Sequence, residues 1–84
     1  KLEILFEGAS QCGLIKAVVG QWKGRAKGEY DSTTPNIFAW VIQGTFEIEN
    51  CLLQKSDGLA IFQSEKIEFE ALSNNALIIF LEIA

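Results

Sequence analysis

Residues 37–61 read IFAWVIQGTFEIENCLLQKSDGLAI, and this stretch decides the fold. An apolar segment ends at Gly44, an alternating segment follows, and a short third segment closes on Asp57 and Gly58 before a fourth begins. Apolar residues on both faces of the first segment are typical of a strand in the middle of a sandwich or barrel. Short strands separated by turn residues predict an antiparallel, all-β fold.

The rest of the chain continues this pattern of short strands and turns. Alternation is clearest where Ile67, Phe69 and Ala71 are interleaved with charged residues, a period of two that indicates a half-buried strand. Residues 1–6 predict an edge strand, and residues 14–22 predict a strand interrupted at Gly20. In all, about nine short strands and little helix are expected. We predict that they close into a small jelly roll or double-stranded β-barrel, because closure protects sheet edges.

The length of 84 residues predicts one domain, covering residues 1–84. A chain this short buries only about 60–65% of the surface that its unfolded form exposes, yet 49% of its residues are hydrophobic. We therefore expect some apolar surface to face a partner, either a second copy or another domain. The first residue is not methionine and a strand follows at once, which fits a fragment of a longer protein.

Charge is unevenly distributed along the chain, whose net charge is −4. Residues 1–30 carry five basic and three acidic side chains, whereas residues 31–84 carry two basic and eight acidic ones. The acidic part argues against nucleic-acid binding, because phosphate contacts need clustered Lys and Arg. No signal-peptide pattern and no apolar run of membrane-spanning length occurs in the sequence. A cytoplasmic protein without membrane contact is the prediction.

The sequence contains no histidine and two distant cysteines, Cys12 and Cys51. The lack of histidine excludes Ser-His-Asp and Cys-His catalysis and histidine-based metal sites. Without a CxxC spacing, the cysteines are expected to be two buried free thiols, and a disulfide would require export. We expect no catalytic residues, no metal ligands and no cofactor.

Four residues are candidates for ligand binding. Trp22, Arg25 and Tyr30 lie among lysines in the one basic and aromatic segment, which could stack bases, hold an anionic ligand or form the rim of an inter-domain contact. Trp40 lies in the apolar segment and is expected to pack in the core, since a large aromatic dominates burial in a small domain. The alternative is that Trp40 lines the barrel mouth, where a small apolar ligand enters.

Two pairs of carboxylates have a spacing of two residues, so that each pair shares one strand face. They are Glu47 with Glu49 and Glu68 with Glu70. Such pairs could act in acid-base chemistry or bind a hard cation, but their alternation with apolar residues predicts a solvated outer face. Asp57 is expected to fix its own turn.

Several of these segments carry a family resemblance. Residues 38–48 (FAWVIQGTFEI), 57–60 (DGLA) and 67–76 (IEFEALSNNA), together with 20–25 and 28–30 upstream, resemble the C-terminal cupin domain of pirin-like proteins, which include the quercetinase-like bicupins. The resemblance covers most of the chain and implies a cupin jelly roll. In intact pirin-like proteins the N-terminal cupin carries the metal through histidines and a glutamate, and the C-terminal cupin usually lacks these ligands and packs against the first.

The chain departs from the general cupin pattern in having no histidine and in placing Ser56-Asp57-Gly58 at the usual Gly-Asp turn. The first departure argues against dioxygenase activity of this domain. We therefore expect a metal-free, non-catalytic domain that packs on a metal-bearing cupin domain or forms a homodimer. The alternatives are a module that binds a small molecule or anionic ligand, and a metal-independent enzyme that uses the barrel interior.

Overall fold

A computed structural model of the chain describes residues 2–7, 13–32, 34, 36–62 and 66–83. Nine strands form in these residues: β1 (Leu2–Glu7), β2 (Leu14–Trp22), β3 (Lys27–Asp31), β4 (Asn36–Gln43), β5 (Phe46–Ile48), β6 (Cys51–Leu53), β7 (Gly58–Phe62), β8 (Lys66–Ala71) and β9 (Ala76–Ile83). The described part of the chain contains no helix, and so none that could cross a membrane. The prediction of an all-β fold is confirmed.

The strands form two antiparallel sheets. A five-stranded sheet has the order β1-β2-β9-β4-β7, and a four-stranded sheet has the order β3-β8-β5-β6. β1 lies at an edge, as predicted, and β4 lies between β9 and β7. β9 is central because it pairs with β2 on one side and β4 on the other.

The core lies between the two sheets, where alternate residues of each strand point inward. In β8 the buried residues are Ile67, Phe69 and Ala71, which confirms the predicted alternation. In β9 every second residue from Ala76 onward is buried, so that the last of them is Glu82. The core cluster consists of Val18, Tyr30, Ile37, Ala39, Val41, Phe46, Ile48, Leu53, Ile61, Ile67, Phe69, Ala71, Ala76, Ile78 and Phe80.

Turn residues explain where several strands end. Gly44 ends β4 with a φ of 83°, and a Cβ atom there would lie 2.9 Å from Cα of Ala76, so glycine is required. Asp57 does fix its turn, since its Oδ2 accepts a hydrogen bond of 2.9 Å from the backbone N–H of Gln54. In that turn Ser56, rather than the glycine that follows Asp57, has the positive φ of 74°.

Two predictions about residues of β2 and β6 are wrong. Gly20 does not interrupt β2, because it pairs with Leu2 on one side and Ile78 on the other. Cys51 is exposed rather than buried, because it lies on β6, at the edge of the four-stranded sheet. Cys12 lies outside the described residues.

Candidate functional site

A buried carboxylate, Glu82, marks the most polar point of the interior. Its exposed fraction is 0%, and it is the one buried polar or charged residue among those that the structure describes. Glu82 points inward because it follows Phe80 by two residues along β9. Burying a carboxylate away from water costs on the order of several kcal/mol per ion unless the carboxylate is hydrogen-bonded or paired with an opposite charge. The environment of Glu82 must therefore compensate it.

Both oxygens of Glu82 accept hydrogen bonds. The hydroxyl group of Tyr30, in β3, donates to Oε2. The backbone N–H of Thr34 donates to Oε1 at 3.1 Å, and the Thr34 hydroxyl lies 3.5 Å from the same oxygen. Since Tyr30 belongs to the four-stranded sheet and Glu82 to the five-stranded sheet, this carboxylate joins the two sheets at one end of the barrel.

The environment keeps the Tyr30 hydroxyl protonated. Burial raises the pKa of Tyr30 well above its ordinary value, and the hydrogen bond to Glu82 and the negative charge of that carboxylate raise it further. The Tyr30 ring stacks on Phe80, with ring centroids 4.7 Å apart and planes 6° from parallel. Packing and electrostatics therefore hold the phenol in place as a hydrogen-bond donor.

A lysine completes the charge pattern at this end of the barrel. Lys16 is the register partner of Glu82 across β2 and β9, and of Glu7 across β1 and β2. Its Nζ lies 3.8 Å from Oε2 of Glu7, and its side chain is 15% exposed whereas that of Glu7 is 59% exposed. The three residues form a row in which one positive charge lies between two negative charges.

The residues present do not fit the metal of a quercetinase-type site. The chain has no histidine, and the described residues contain no group of three or more His, Cys, Asp and Glu side chains placed to hold a metal ion. Glu82, the carboxylate inside the barrel, accepts hydrogen bonds from Tyr30 and Thr34 through both oxygens.

The carboxylate pairs predicted to lie on a solvated face do so. Glu47, Glu49 and Glu68 are exposed and Glu70 is half-buried, all on the outer side of the four-stranded sheet. Glu47 lies directly opposite Glu70, and Glu29 directly opposite Glu68, across neighbouring strands. Like charges in these positions repel each other. Lys27 lies opposite Glu70, and Nζ of Lys66 lies 3.9 Å from Oε2 of Glu29, so this face is acidic on balance but carries two basic side chains.

The four predicted ligand-binding residues lie in different parts of the molecule. Trp22 and Tyr30 belong to one interior cluster of aromatic rings. The ring centroids of Trp22 and Phe69 are 5.2 Å apart, and those of Phe69 and Phe80, on which Tyr30 stacks, are 5.4 Å apart. Nε1 of Trp22 is buried and has no hydrogen-bond partner among the residues that the structure describes. Arg25 is exposed in the turn between β2 and β3, where its φ is 68°. A ligand-binding role for these residues stays a prediction.

Trp40 is not a core residue, and the expectation of core packing is wrong. Its exposed fraction is 42%, because its neighbours Ala39 and Val41 take the inward positions of β4. An apolar strand does not reveal which of its faces is buried, and here the larger residue is outside. Trp40 projects from the outer side of the five-stranded sheet.

This outer side is apolar over most of its width, and we call it the outer apolar face. One row across the sheet joins Val19, Ile79 and Trp40, and the next joins Leu81, Phe38 and Ala60. Leu77 and Phe62 extend it, and Phe62 is 69% exposed. The Phe38 ring covers Gly58, where an added Cβ would lie 2.3 Å from Cζ of that ring. Among the described residues on this face, the one charged side chain is that of Glu3, at the β1 edge.

Reasoning from the sequence missed Glu82 and Thr34. The signal for Glu82 was present, because the alternation that buries Phe80 also places the second residue after it inside. Thr34 gave no such signal, since its contact with Glu82 joins residues 48 positions apart.

A family model described as "Quercetinase C-terminal cupin domain" matches residues 17–83. Comparison with curated protein sequences gives no match. Among solved structures, the chain is similar to KdgF from a Halomonas species, with 22% identity and a TM-score of 0.73 over 95% of this chain and 74% of that one.

Two further structures show the same likeness. The chain is similar to a transcriptional regulator of the HTH_3 family from Vibrio cholerae, with 15% identity and a TM-score of 0.75 over 99% of this chain and 49% of that one. It is also similar to a cupin-2 domain containing protein from Shewanella frigidimarina, with 14% identity and a TM-score of 0.67 over 100% of this chain and 80% of that one. At these identities the likeness shows the fold, and the predicted cupin fold is confirmed.

Proposed function

Because the chain belongs to the family of quercetinase C-terminal cupin domains, we propose that it is a non-catalytic cupin domain that binds no metal and packs on another cupin domain. That other domain is either a metal-bearing cupin or a second copy of this chain. The outer apolar face is the observation that carries the proposal, because a solvent-facing apolar surface over most of a sheet is typical of an interaction site.

The interior supports a non-catalytic role. Apolar side chains fill the space between the sheets, and acid-base chemistry by carboxylates would need two of them facing inward. Among the described residues Glu82 is the one fully buried carboxylate, and Tyr30 and Thr34 donate hydrogen bonds to it. We therefore assign Glu82 to holding the sheets together rather than to a reaction.

The outer apolar face supports the packing role. Trp40 and Phe62 are 42% and 69% exposed, and exposed aromatic residues of this size are enriched in protein interfaces. Phe38 and Ala60 lie between them, and the partly exposed Ile79 and Leu81 adjoin Trp40 and Phe38 on β9, so the aromatic side chains lie in a continuous apolar surface. Covering this surface would stabilise a complex by removing apolar area from water.

Two measurements test the proposal. The first is metal content and flavonol turnover of the purified chain after incubation with ferrous iron. We expect neither bound iron nor turnover, and stoichiometric iron or turnover would contradict the non-catalytic role. The second is analytical ultracentrifugation of the chain, alone and mixed with a metal-bearing cupin domain of a quercetinase-type bicupin. We expect a complex in at least one of the two samples, and monomers in both would contradict the packing role.

A further inference from the structure

We infer that β7 pairs with β7 of a second copy of the chain, antiparallel and about a two-fold axis at Ala60, so that two five-stranded sheets join side by side into one continuous sheet. This contact uses the edge of the sheet and leaves its outer apolar face uncovered, so the inference goes beyond the proposed packing function. It is carried by a comparison of the sheet edges, by the direction of the backbone groups of β7 and by the order of its side chains.

Among the described strands, four lie at sheet edges, and β7 is the one without protection. Proteins protect edge strands from pairing by charged side chains, bulges or short length. β1 carries Glu3 and Glu7 and a register shift between Ile4 and Phe6. β3 has a charged residue at every second position, and β6 has 3 residues. β7 has 5 residues, GLAIF, without a charge, and its register with β4 is regular throughout.

The backbone of β7 directs hydrogen-bonding groups toward this edge. The backbone N–H of Val41, in β4, donates to the carbonyl of Asp57 at 3.0 Å. Hydrogen-bonded pairs alternate along antiparallel strands, so every second residue after Asp57 bonds to β4. The N–H and C=O groups of the residues between them, Gly58, Ala60 and Phe62, therefore point away from β4, where none of the described strands lies. An extended strand is the structure that pairs with such groups.

A two-fold axis at Ala60 pairs all three of these residues. It places Ala60 opposite Ala60 of the second copy and Gly58 opposite Phe62 of the second copy, and the second contact occurs twice by symmetry. An axis at any other residue of β7 leaves at least one of the three opposite a residue outside the strand. The backbone geometry therefore fixes the register of the pairing.

The side chains of β7 fit this register and select a second copy over an unrelated strand. Phe62, at 69%, is the most exposed large hydrophobic residue that the structure describes, and the pairing sets it opposite glycine. The ring of Phe38 lies over Gly58, where an added Cβ would be 2.3 Å from Cζ of that ring. Phe62 of the second copy would lie beside this ring, which gives two aromatic contacts per dimer. The second copy supplies both the small and the large residue of each pair, and it brings no like charges together.

Exchange of charge at Ala60 tests the inference, because the axis places this residue opposite itself. The variants are Ala60→Lys and Ala60→Glu, at an exposed position, and sedimentation equilibrium gives the Kd of each alone and of their equimolar mixture. We expect the wild type to dimerise and each variant alone to have a Kd at least about tenfold higher, since like charges juxtaposed in an interface are costly. We expect the mixture to form a heterodimer at least about tenfold tighter than either variant alone, because the paired charges are then opposite.

The matched control is Leu81→Lys, which places the same charge in the same row of the outer apolar face, but on β9, two strands away from β7. We expect this variant to dimerise as the wild type does. Circular dichroism confirms that each variant is folded. If an Ala60 variant is not, Phe62→Ser replaces it, and removal of this ring should also raise the Kd at least about tenfold.

The outcomes separate this inference from the proposed function. A wild-type chain that is monomeric alone but binds the metal-bearing cupin domain overturns the pairing of β7 and leaves the packing function standing. A dimer that the changes at Ala60 and Phe62 leave intact, or that Leu81→Lys weakens equally, also overturns the inference, since another surface then forms it. A mixture no tighter than its components overturns the two-fold axis at Ala60. The expected results at Ala60, without a complex with the metal-bearing domain, support the inference but not packing through the outer apolar face.

Discussion

The hydroxyl group of Tyr30 donates a hydrogen bond to Oε2 of Glu82, and this contact joins β3 of one sheet to β9 of the other. Both residues are buried, with exposed fractions of 4% and 0%. The stacking of Tyr30 on Phe80 adds an apolar contact between the same two strands. Tyr30 therefore connects the two sheets through both a hydrogen bond and an apolar ring contact.

Replacing Tyr30 by Phe should destabilise the fold. The variant Tyr30→Phe keeps the ring that stacks on Phe80 but removes a donor to a buried carboxylate. We expect the free energy of unfolding in urea to fall by about 1–3 kcal/mol. As a comparison, Thr34→Ala should cost less, since it removes a hydroxyl contact of 3.5 Å and keeps the backbone N–H at 3.1 Å. Equal stability of wild type and Tyr30→Phe would refute the role of this hydrogen bond.

The double variant Tyr30→Phe, Glu82→Leu should be more stable than the sum of its single changes predicts. Glu82→Leu alone leaves the Tyr30 hydroxyl buried without its acceptor, whereas the double change removes both polar groups. A double-mutant cycle from urea unfolding should give a coupling of about 0.5–3 kcal/mol. Additive effects would mean that the two groups do not interact in solution.

The single tyrosine of the chain should resist ionisation while the protein is folded. The pKa of Tyr30 is raised by burial and by Glu82, whereas in the unfolded chain it is near the ordinary value of about 10. Its contribution to stability is complete below about pH 10 and is lost as the pH rises above that value, because only the unfolded state then releases the proton. Tyrosinate absorbance should therefore appear together with unfolding, and Tyr30→Phe should lose less stability than wild type over this range. A smooth titration near pH 10 in the folded protein would contradict this prediction.

Replacing Gly44 by alanine should destabilise the turn after β4. The φ of 83° is strained for alanine, and the added Cβ would approach Oγ of Ser73 to 2.6 Å and Cα of Ala76 to 2.9 Å. We expect a loss of about 1–3 kcal/mol in the free energy of unfolding. Ser56→Gly is the comparison variant in the opposite direction, because it places glycine where serine now has a φ of 74° at an exposed position, and it should not destabilise the protein in this way. A neutral Gly44→Ala variant would show that this turn adjusts without strain.

Reversing one charge on the acidic sheet should stabilise the protein. Glu47→Lys turns the like-charge pair with Glu70 into an opposite-charge pair, which we expect to add about 0.2–1 kcal/mol. The gain should shrink at high salt because exposed charges are screened. Glu3→Lys changes the net charge equally but faces Val19 across its strand pair. If both variants gain the same stability, net charge rather than the cross-strand pair is responsible.

Much of the fold was predictable because alternation and turns are local signals. The alternation at Ile67, Phe69 and Ala71 predicts a strand whose buried face consists of these three residues, and the structure buries the same three. The strand at residues 14–22 was predicted with its observed bounds. Such features depend on neighbouring residues only, so the sequence is sufficient to find them.

The site was harder to predict because it depends on contacts between distant residues. Glu82 meets Tyr30 only through the packing of β9 against β3, 52 positions apart. Trp40 was assigned to the core because its strand is apolar on both faces, and the sequence does not say which face the other sheet covers. Cys51 was assigned to the interior on composition, but its burial depends on how far the opposite sheet extends over β6.

The central position of β9 also determines when this chain can fold. β2 and β4 are not neighbours, and β9 pairs with both of them. The five-stranded sheet therefore cannot assemble during translation until the last of the nine strands has left the ribosome. Pairings between such distant segments fold slowly, on the scale of milliseconds to seconds in all-β proteins. Until then the apolar strands β2 and β4 expose unpaired edges, so a nascent chain stalled before β9 should be a substrate for chaperones and prone to aggregation.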